Sequence, residues 1–354
     1  VERAKGKLTV TVPTWRAGND ISLAEDLVEE VGRVHGYDKI EPLPLYGALE
    51  PVDDEPERAA RRRARDVCSF RSGLAEIHTY PFVTADECRR AGLEPGTLQL
   101  SNAEQPGLDL MTTTPVPRML RALSENLKYR AEVGLYAVEP IFLKERDEGL
   151  PRENERLTIG IARRDPDAVR PVFAVKGAVE ALLRAFHLRG VRFLQEEGPP
   201  WLHPGRVAKV ARGNQVYGWL GEVHPRIARA FEIEFPAAVA DLDFDAVRTA
   251  AGREPRMQAI GRFPTVPYDV AVVVDRRTPA AEVEGVLRKV DDRLVRDVHL
   301  FDVYEGDRLE KGKRSLAFTI VFGSLERTLG TEDVEKLRAR VDQAIGKRGW
   351  TLRI

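Results

Sequence analysis

The chain has 354 residues, 43% of them hydrophobic and 31% charged, the composition of an ordinary globular protein. Lys and Arg number 55 against 56 Asp and Glu, so a net charge of −1 gives no whole-chain attraction for a polyanion. Cys68 and Cys88 are the two cysteines and form no C-x-x-C pair, which argues against a disulfide scaffold or a zinc ribbon and fits a reducing cytoplasm.

No apolar run approaches the roughly 18 residues of a membrane span, and no signal peptide is visible. The chain opens at Val1, in what reads as the middle of a domain, so a fragment or a processed chain is expected. Lys7 to Val12 reads as a strand. Ser22 and Glu25 form an S-x-x-E capping box, which predicts a helix starting at Leu23 and stopping at Gly36. Leu27, Val28, Val31 and Val34 make its apolar stripe. Asp26, Glu29 and Glu30 stand at i, i+3 and i+4 on another face, and Asp20 lies just before the cap. Four close carboxylates repel one another. A hard divalent cation such as Mg²⁺ or Ca²⁺ would offset them, although acids in a first turn are also favoured by the helix dipole alone.

Pro42, Pro44, Pro51 and Pro56, with Asp53, Asp54 and Glu55, mark a linker. An arginine-rich helix follows from about 57, carrying Arg58, Arg61, Arg62, Arg63 and Arg65 and ending near Gly73. It reads either as a solvated face or as a contact for RNA or a partner. Glu76 to Phe82, Gly134 to Phe142 and Leu157 to Ala162 read as strands. Pro117 to Tyr129 and Phe173 to Phe186 read as helices. Val207 to Ala211 and Val216 to Leu220 form a hairpin around Gly213-Asn214. Without a βαβ rhythm, this is an α+β domain over 57–250. From 261 to 354 the order is βαββαβ: Val270 to Val274, Pro279 to Val290, Asp297 to Tyr304, Ser315 to Phe322, Thr331 to Gly346 and Trp350 to Ile354. That is a ferredoxin-like fold.

Catalytic signatures are missing. There is no G-x-G-x-x-G after a strand, no G-x-x-x-x-G-K-[ST], no H-E-x-x-H and no G-x-S-x-G. His203 and His224 each stand beside a proline at a strand end, where a structural role outweighs a ligand or general-base role.

In the last unit, strand alternation leaves Ala271 and Val273 on the open side of the sheet, with Ser315, Ala317, Thr319 and Val321. Leu300, Asp302 and Tyr304 are expected to face the same side. Small residues around one aromatic make a platform for an unpaired base. Lys and Arg exceed Asp and Glu by only two between 261 and 354, so charge alone does not choose between RNA and a protein surface.

Several stretches resemble the bacterial phenylalanyl-tRNA synthetase β-subunit family. Pro13, Trp15, Arg16, Asp20-Ile21, Glu25-Asp26-Leu27, Glu29-Glu30-Val31, Arg33 and Gly36-Tyr37 match its P-x-W-R-x-D-I and E-D-L-x-E-E-V-x-R-x-x-G-Y, with Ala17-Gly18-Asn19 as a departure. Leu202-His203-Pro204-Gly205-Arg206 and Gly218 to Pro225 resemble L-H-P-G-R and G-x-L-G-x-x-H-P. Pro117, Arg118, Leu120, Leu123 and Asn126-Leu127 match a helix of the family. Arg262-Phe263-Pro264, Asp269-Val270-Ala271, Leu300 to Tyr304, Lys313 to Phe318 and Glu326 to Leu329 resemble its anticodon-binding domain. Tyr268 stands where that domain usually has Arg.

The resemblance implies three parts. Residues 1–45 end a small metal-linked α+β domain, in which Asp20, Asp26, Glu29 and Glu30 hold Mg²⁺ shared with an α subunit. Residues 57–250 form a class II synthetase-like domain without catalysis. Residues 261–354 bind the anticodon, with Ala271, Tyr304 and Ser315 as contacts. It further implies a cytoplasmic heterotetramer of two α and two β chains that attaches phenylalanine to its tRNA. ATP is used by the α subunit's active site and not bound by this chain, and the family's N-terminal tRNA-binding and editing modules lie outside the segment. The alternatives are a stand-alone RNA-binding or scaffold protein derived from such a synthetase, and a free-standing metal-dependent enzyme using the four acids.

Overall fold

Long alternating segments in the middle of the chain build a seven-stranded sheet, and shorter ones near the end build a four-stranded sheet. The computed structural model describes all residues except 19, 49, 145–148, 166–168, 258–260, 307 and 354. Asn19, in the departing Ala17-Gly18-Asn19 segment, and Ile354, at the end of the last strand expected, lie outside the described residues. The chain divides into two compact units, Val1–Gly252 and Arg253–Ile354.

The first unit opens with a hairpin, β1 (Glu2–Ala4) and β2 (Lys7–Thr9). Helix α1 (Ala24–His35) follows, and Gly36 ends it at φ +99°, a value that favours glycine. α1 starts one residue later than the capping box predicts, because Asp26 rather than Glu25 closes the cap. Asp26 Oδ2 accepts the Ser22 and Leu23 amides at 2.7 and 2.8 Å. The expected apolar stripe is not covered: Val28, Val31 and Val34 are 70–85% exposed, because no described part of the chain buries that side of α1.

Helix α2 (Pro56–Asp66) runs through a five-residue π turn (Val67–Arg71) into β3 (Ala75–Glu76). The single strand expected over 76–82 is instead β3 and a separate β4 (Phe82–Val83), with α3 (Ala85–Arg90) beyond it. α3 begins with a capping box, Thr84 and Glu87. β4 pairs with β5 (Leu110–Met111), and α4 (Val116–Leu127) follows. The main sheet is completed by β6 (Glu132–Leu143), β7 (Arg152–Arg163), β8 (Arg192–Leu194), β9 (Leu202–Arg212), β10 (Gln215–Val223) and β11 (Ala237–Asp243). Helices α5 (Pro171–Ala185), α6 (Pro225–Ala230) and α7 (Phe244–Thr249) punctuate them. The strand order is β3-β6-β7-β11-β10-β9-β8, antiparallel except for β3 against β6.

Both faces of this sheet are buried. Leu157, Ile159, Ile161, Ala238, Ala240 and Leu242 meet α2, α5 and α7 on one side. Val133, Leu135, Ala137 and Val239 meet α4 and α6 on the other. β11 is buried on both faces, and its four leading apolar residues, Ala237 to Ala240, carry no alternation to betray it in the sequence before Asp241 breaks the run. Gly160 receives α4: a Cβ there would lie 2.7 Å from Met119 Sδ.

The second unit is the expected βαββαβ: β12 (Val266–Asp275), α8 (Ala280–Arg288), β13 (Val295–Tyr304), β14 (Lys313–Phe322), α9 (Thr331–Gly346) and β15 (Thr351–Leu352). Its sheet order is β13-β14-β12-β15, all neighbours antiparallel. Val270, Val272, Val274, Leu316, Phe318, Ile320 and Phe322 pack with Val283, Leu287, Leu337, Val341 and Ile345 of the helices. Among the described residues of this unit, both helices pack on that one side of the sheet, as in a ferredoxin-like fold, and leave the other side open.

Candidate nucleic-acid interface and acidic cluster

On the open face of the second unit, cross-strand register fixes which side chains are neighbours. Ala271 pairs with Ala317, Val273 with Ser315, and Ser315 with Tyr304. A shift in the β13–β14 register between Leu300 and Asp302 bulges Phe301 and resets the alternation. Leu300 therefore pairs with buried Phe318 on the helix side, while Asp302 and Tyr304 face the open side. The expectation that Leu300 shares the open face with Asp302 and Tyr304 fails at this bulge.

Tyr304 lies on the edge strand β13, and Arg353 follows β15 at the other edge, its amide bonded to the Ala271 carbonyl at 2.8 Å. Strands about 4.8 Å apart put these edges roughly 14 Å from each other. Both side chains must lie flat to meet, and they do: the Arg353 guanidinium carbon stands 4.4 Å from the Tyr304 ring centroid. Small side chains are needed beneath such a pair. Ser315, opposite Tyr304, is only 3% exposed, while Ala271 is half-buried. Gly306 leaves room for the Tyr304 hydroxyl, since a Cβ there would lie 2.6 Å from it. Of the three expected contacts, Ala271, Tyr304 and Ser315 share this face, with Ser315 the least accessible. Tyr268 points to the helix side. It stacks on Phe322 at 6.1 Å and lies under Arg338 at 4.8 Å, so it serves the packing of that side and not the open face.

The four acids near the N-terminus are met by other groups. Arg16 Nε donates to Asp20 at 2.5 Å and its Nη2 to Glu30 Oε1 at 2.8 Å, while Arg33 Nη2 reaches Glu30 Oε2 at 2.7 Å. Hydrogen bonds from Arg16 and Arg33 hold the Glu30 carboxyl down at about 2. The Leu23 and Ser22 amides lower that of Asp26. Glu29 stands exposed on α1 outside this set of bonds. Among the described residues, no three His, Cys, Asp or Glu side chains converge as a metal site. A cation between Asp20 and Glu30 would have to displace Arg16, so the donor set as placed does not fit Mg²⁺.

The arginine run of α2 is spent largely on its own chain. Arg61 bonds Glu155 and Arg65 bonds Glu76, each at 2.7 Å, Arg62 approaches Asp54 at 3.5 Å, and Arg63 lies over Phe186. A cleft of about 620 Å³ beside the π turn is lined by Arg71, Arg130, Arg163 and Arg184 over Gly134 and Gly177. On the α4 side of the main sheet, buried Asp241 accepts from Arg156 at 2.9 Å and Thr114 at 3.0 Å. His203 and His224 each turn Nδ1 to the backbone amide two residues on, at 3.0 and 3.1 Å, which makes them turn and cap residues. Sequence reasoning had singled out neither Arg353 nor Arg16's bridging of two acids; only a long-range view of the sheet edges or of the cap would reveal them.

The described chain thus holds an antiparallel sheet buried by helices on both sides and a ferredoxin-like unit with an open face. A family model described as the phenylalanyl tRNA synthetase beta chain CLM domain matches residues 44–244. A ferredoxin-fold anticodon binding domain matches 261–353, and a tRNA synthetase B5 domain matches 1–37. The phenylalanine--tRNA ligase beta subunit of Moorella thermoacetica is 33% identical over 99% of this chain and 45% of its own length. That of Bacillus subtilis is 32% identical over 98% and 44%. The chain belongs to the phenylalanyl-tRNA synthetase beta chain family, and it spans a little under half the length of these relatives.

Proposed function

We propose that this chain works as the β-subunit portion of a phenylalanine–tRNA ligase, in the cytoplasm, with an α subunit in an assembly of two α and two β chains. The α subunit carries ATP-dependent activation of phenylalanine and its transfer to tRNA. This chain supports α with its synthetase-like unit and holds the tRNA with its second unit. The observation that carries the reading is Tyr304 sharing the open face with Ala271 and Ser315, in a ferredoxin-like sheet that matches an anticodon-binding family. An aromatic on small residues is a sequence-tolerant support for an unpaired base. In the arginine-lined cleft Glu132 takes Arg163 at 2.7 Å, and Arg71, Arg130 and Arg184 make a second cationic surface, suited to acidic groups of a partner.

Asp20, Asp26, Glu29 and Glu30 belong at the contact with α in this reading. As placed, Asp20 and Glu30 are paired with guanidinium groups and Asp26 with backbone amides, so a cation would have to displace these partners. Among the described residues, no helix is long and apolar enough to cross a membrane. The test is binding of tRNA for phenylalanine at fixed salt, compared with a tRNA of another anticodon. Selective binding by the full chain supports the reading. Equal, weak binding of both leaves the open sheet without a role in the anticodon and favours a scaffold.

A further inference from the structure

Resting on that reading of the open sheet, we propose that Arg353 is a second RNA-contacting residue there. It covers the Tyr304 ring in the free protein and, when a base takes the ring, moves to the phosphate of the arriving strand. Spacing argues first. A guanidinium carbon 4.4 Å from the ring centroid leaves no room for a base between them, since stacked groups need about 4.5 Å or more centroid to centroid at each step. A base that uses Tyr304 must therefore displace Arg353. Its cost of leaving is small, because Arg353 has no carboxylate within salt-bridge range among the described residues and holds Tyr304 by a weak cation–π contact.

Charge argues next. The open face carries Asp269, held by Thr319 Oγ1 at 2.6 Å, and Asp302, in the same cross-strand row as Ala317 and Ala271. Those acids repel a phosphate. Lys313 of the same face is held by Asp275 at 2.9 Å, which leaves Arg353, at the end of that row, as a cation with no carboxylate partner among the described residues to offer in compensation. The Arg353 amide bond to the Ala271 carbonyl anchors its backbone, so the side chain turns while the strand stays. A guanidinium exchanges a ring face for a phosphate readily, because its planar fork suits both.

The test uses the full chain and an unmodified transcript of tRNA for phenylalanine, with binding measured across a salt series. Arg353→Met keeps the bulk and removes the charge. It should weaken binding about tenfold at low salt and make the log–log salt slope less negative by about 0.7, the loss of one single-strand phosphate contact. Arg353→Lys should keep the slope. Tyr304→Ala should weaken binding with the slope unchanged. If Arg353→Met binds as tightly as the parent or tighter, at an unchanged slope, while Tyr304→Ala still weakens binding, Arg353 is a cover only and the inference is overturned. If neither Tyr304→Ala nor Arg353→Met changes anything, the underlying reading of this sheet as an RNA face fails as well.

Discussion

Replacing Glu87 should undo the corner where α3 meets α4, and the size of the loss can be worked out in parts. Glu87 is 6% exposed. Its Oε2 accepts the Thr84 amide at 3.0 Å, and its Oε1 meets Arg121 at 3.1 Å and Arg118 at 3.4 Å. The Arg121 side chain is 54% exposed, so its share is about 0–1 kcal/mol. The lost cap costs about 1 kcal/mol. Arg118 dominates: its side chain is 10% exposed, and breaking a buried pair typically costs about 3–5 kcal/mol. Because Arg118 keeps its bonds to the Phe82 carbonyl, its share falls at the low end of that range, and together with the cap Glu87→Ala should lose about 4 kcal/mol. Burial opposes ionisation of Glu87, but the Thr84 amide and the two arginines outweigh it and lower its folded pKa. Its stabilisation is thus present above the unfolded value of 4.5 and fades as pH falls through the lower folded value. Urea unfolding followed by the tryptophan signal of the first unit, where Trp201 and Trp219 pack, would show both effects. A loss under about 1 kcal/mol at neutral pH, or the same loss at pH 7 as below the folded pKa, would refute the assignment of this corner to a buried ion pair.

Tyr304→Ala should weaken binding of tRNA for phenylalanine by about 1–3 kcal/mol, measured as a dissociation constant at fixed salt; no change removes the residue from the face. Cys68 is fully buried, and burial pushes its thiol up to about 12, so it should resist a thiol reagent in the native chain and react on unfolding. Rapid labelling of native Cys68 would show that the contact between the π turn and α5 opens. Arg16→Met should let the Glu30 carboxyl rise from about 2 towards its ordinary 4.5, followed by carboxyl titration in NMR spectra; a Glu30 held unchanged would mean that Arg33 alone sets it.

The second unit was almost wholly legible because its strands alternate and its helices are amphipathic. Only the bulge at Phe301 escaped, since inserting one residue leaves the composition unchanged and moves Leu300 to the other face. β11 escaped for the opposite reason: its apolar residues Ala237 to Ala240 show no period, and Asp241 ends the run after four. At the N-terminus the pattern announced a helix correctly and its surroundings poorly. Periodicity shows which residues share a face, and it does not show whether anything covers them, so Val28, Val31 and Val34 read as core and stand exposed. The acids were visible as a cluster. Their counter-charge was not, because Arg16 reaches Glu30 across fourteen positions.

The central claim, that this chain acts through an α subunit, is tested most directly by co-expressing the two and asking whether they co-elute in size-exclusion chromatography. The expected result is a stable complex that charges tRNA with phenylalanine, with neither chain active alone. A chain that stays monomeric beside its cognate α subunit, at concentrations where each is folded, would contradict it.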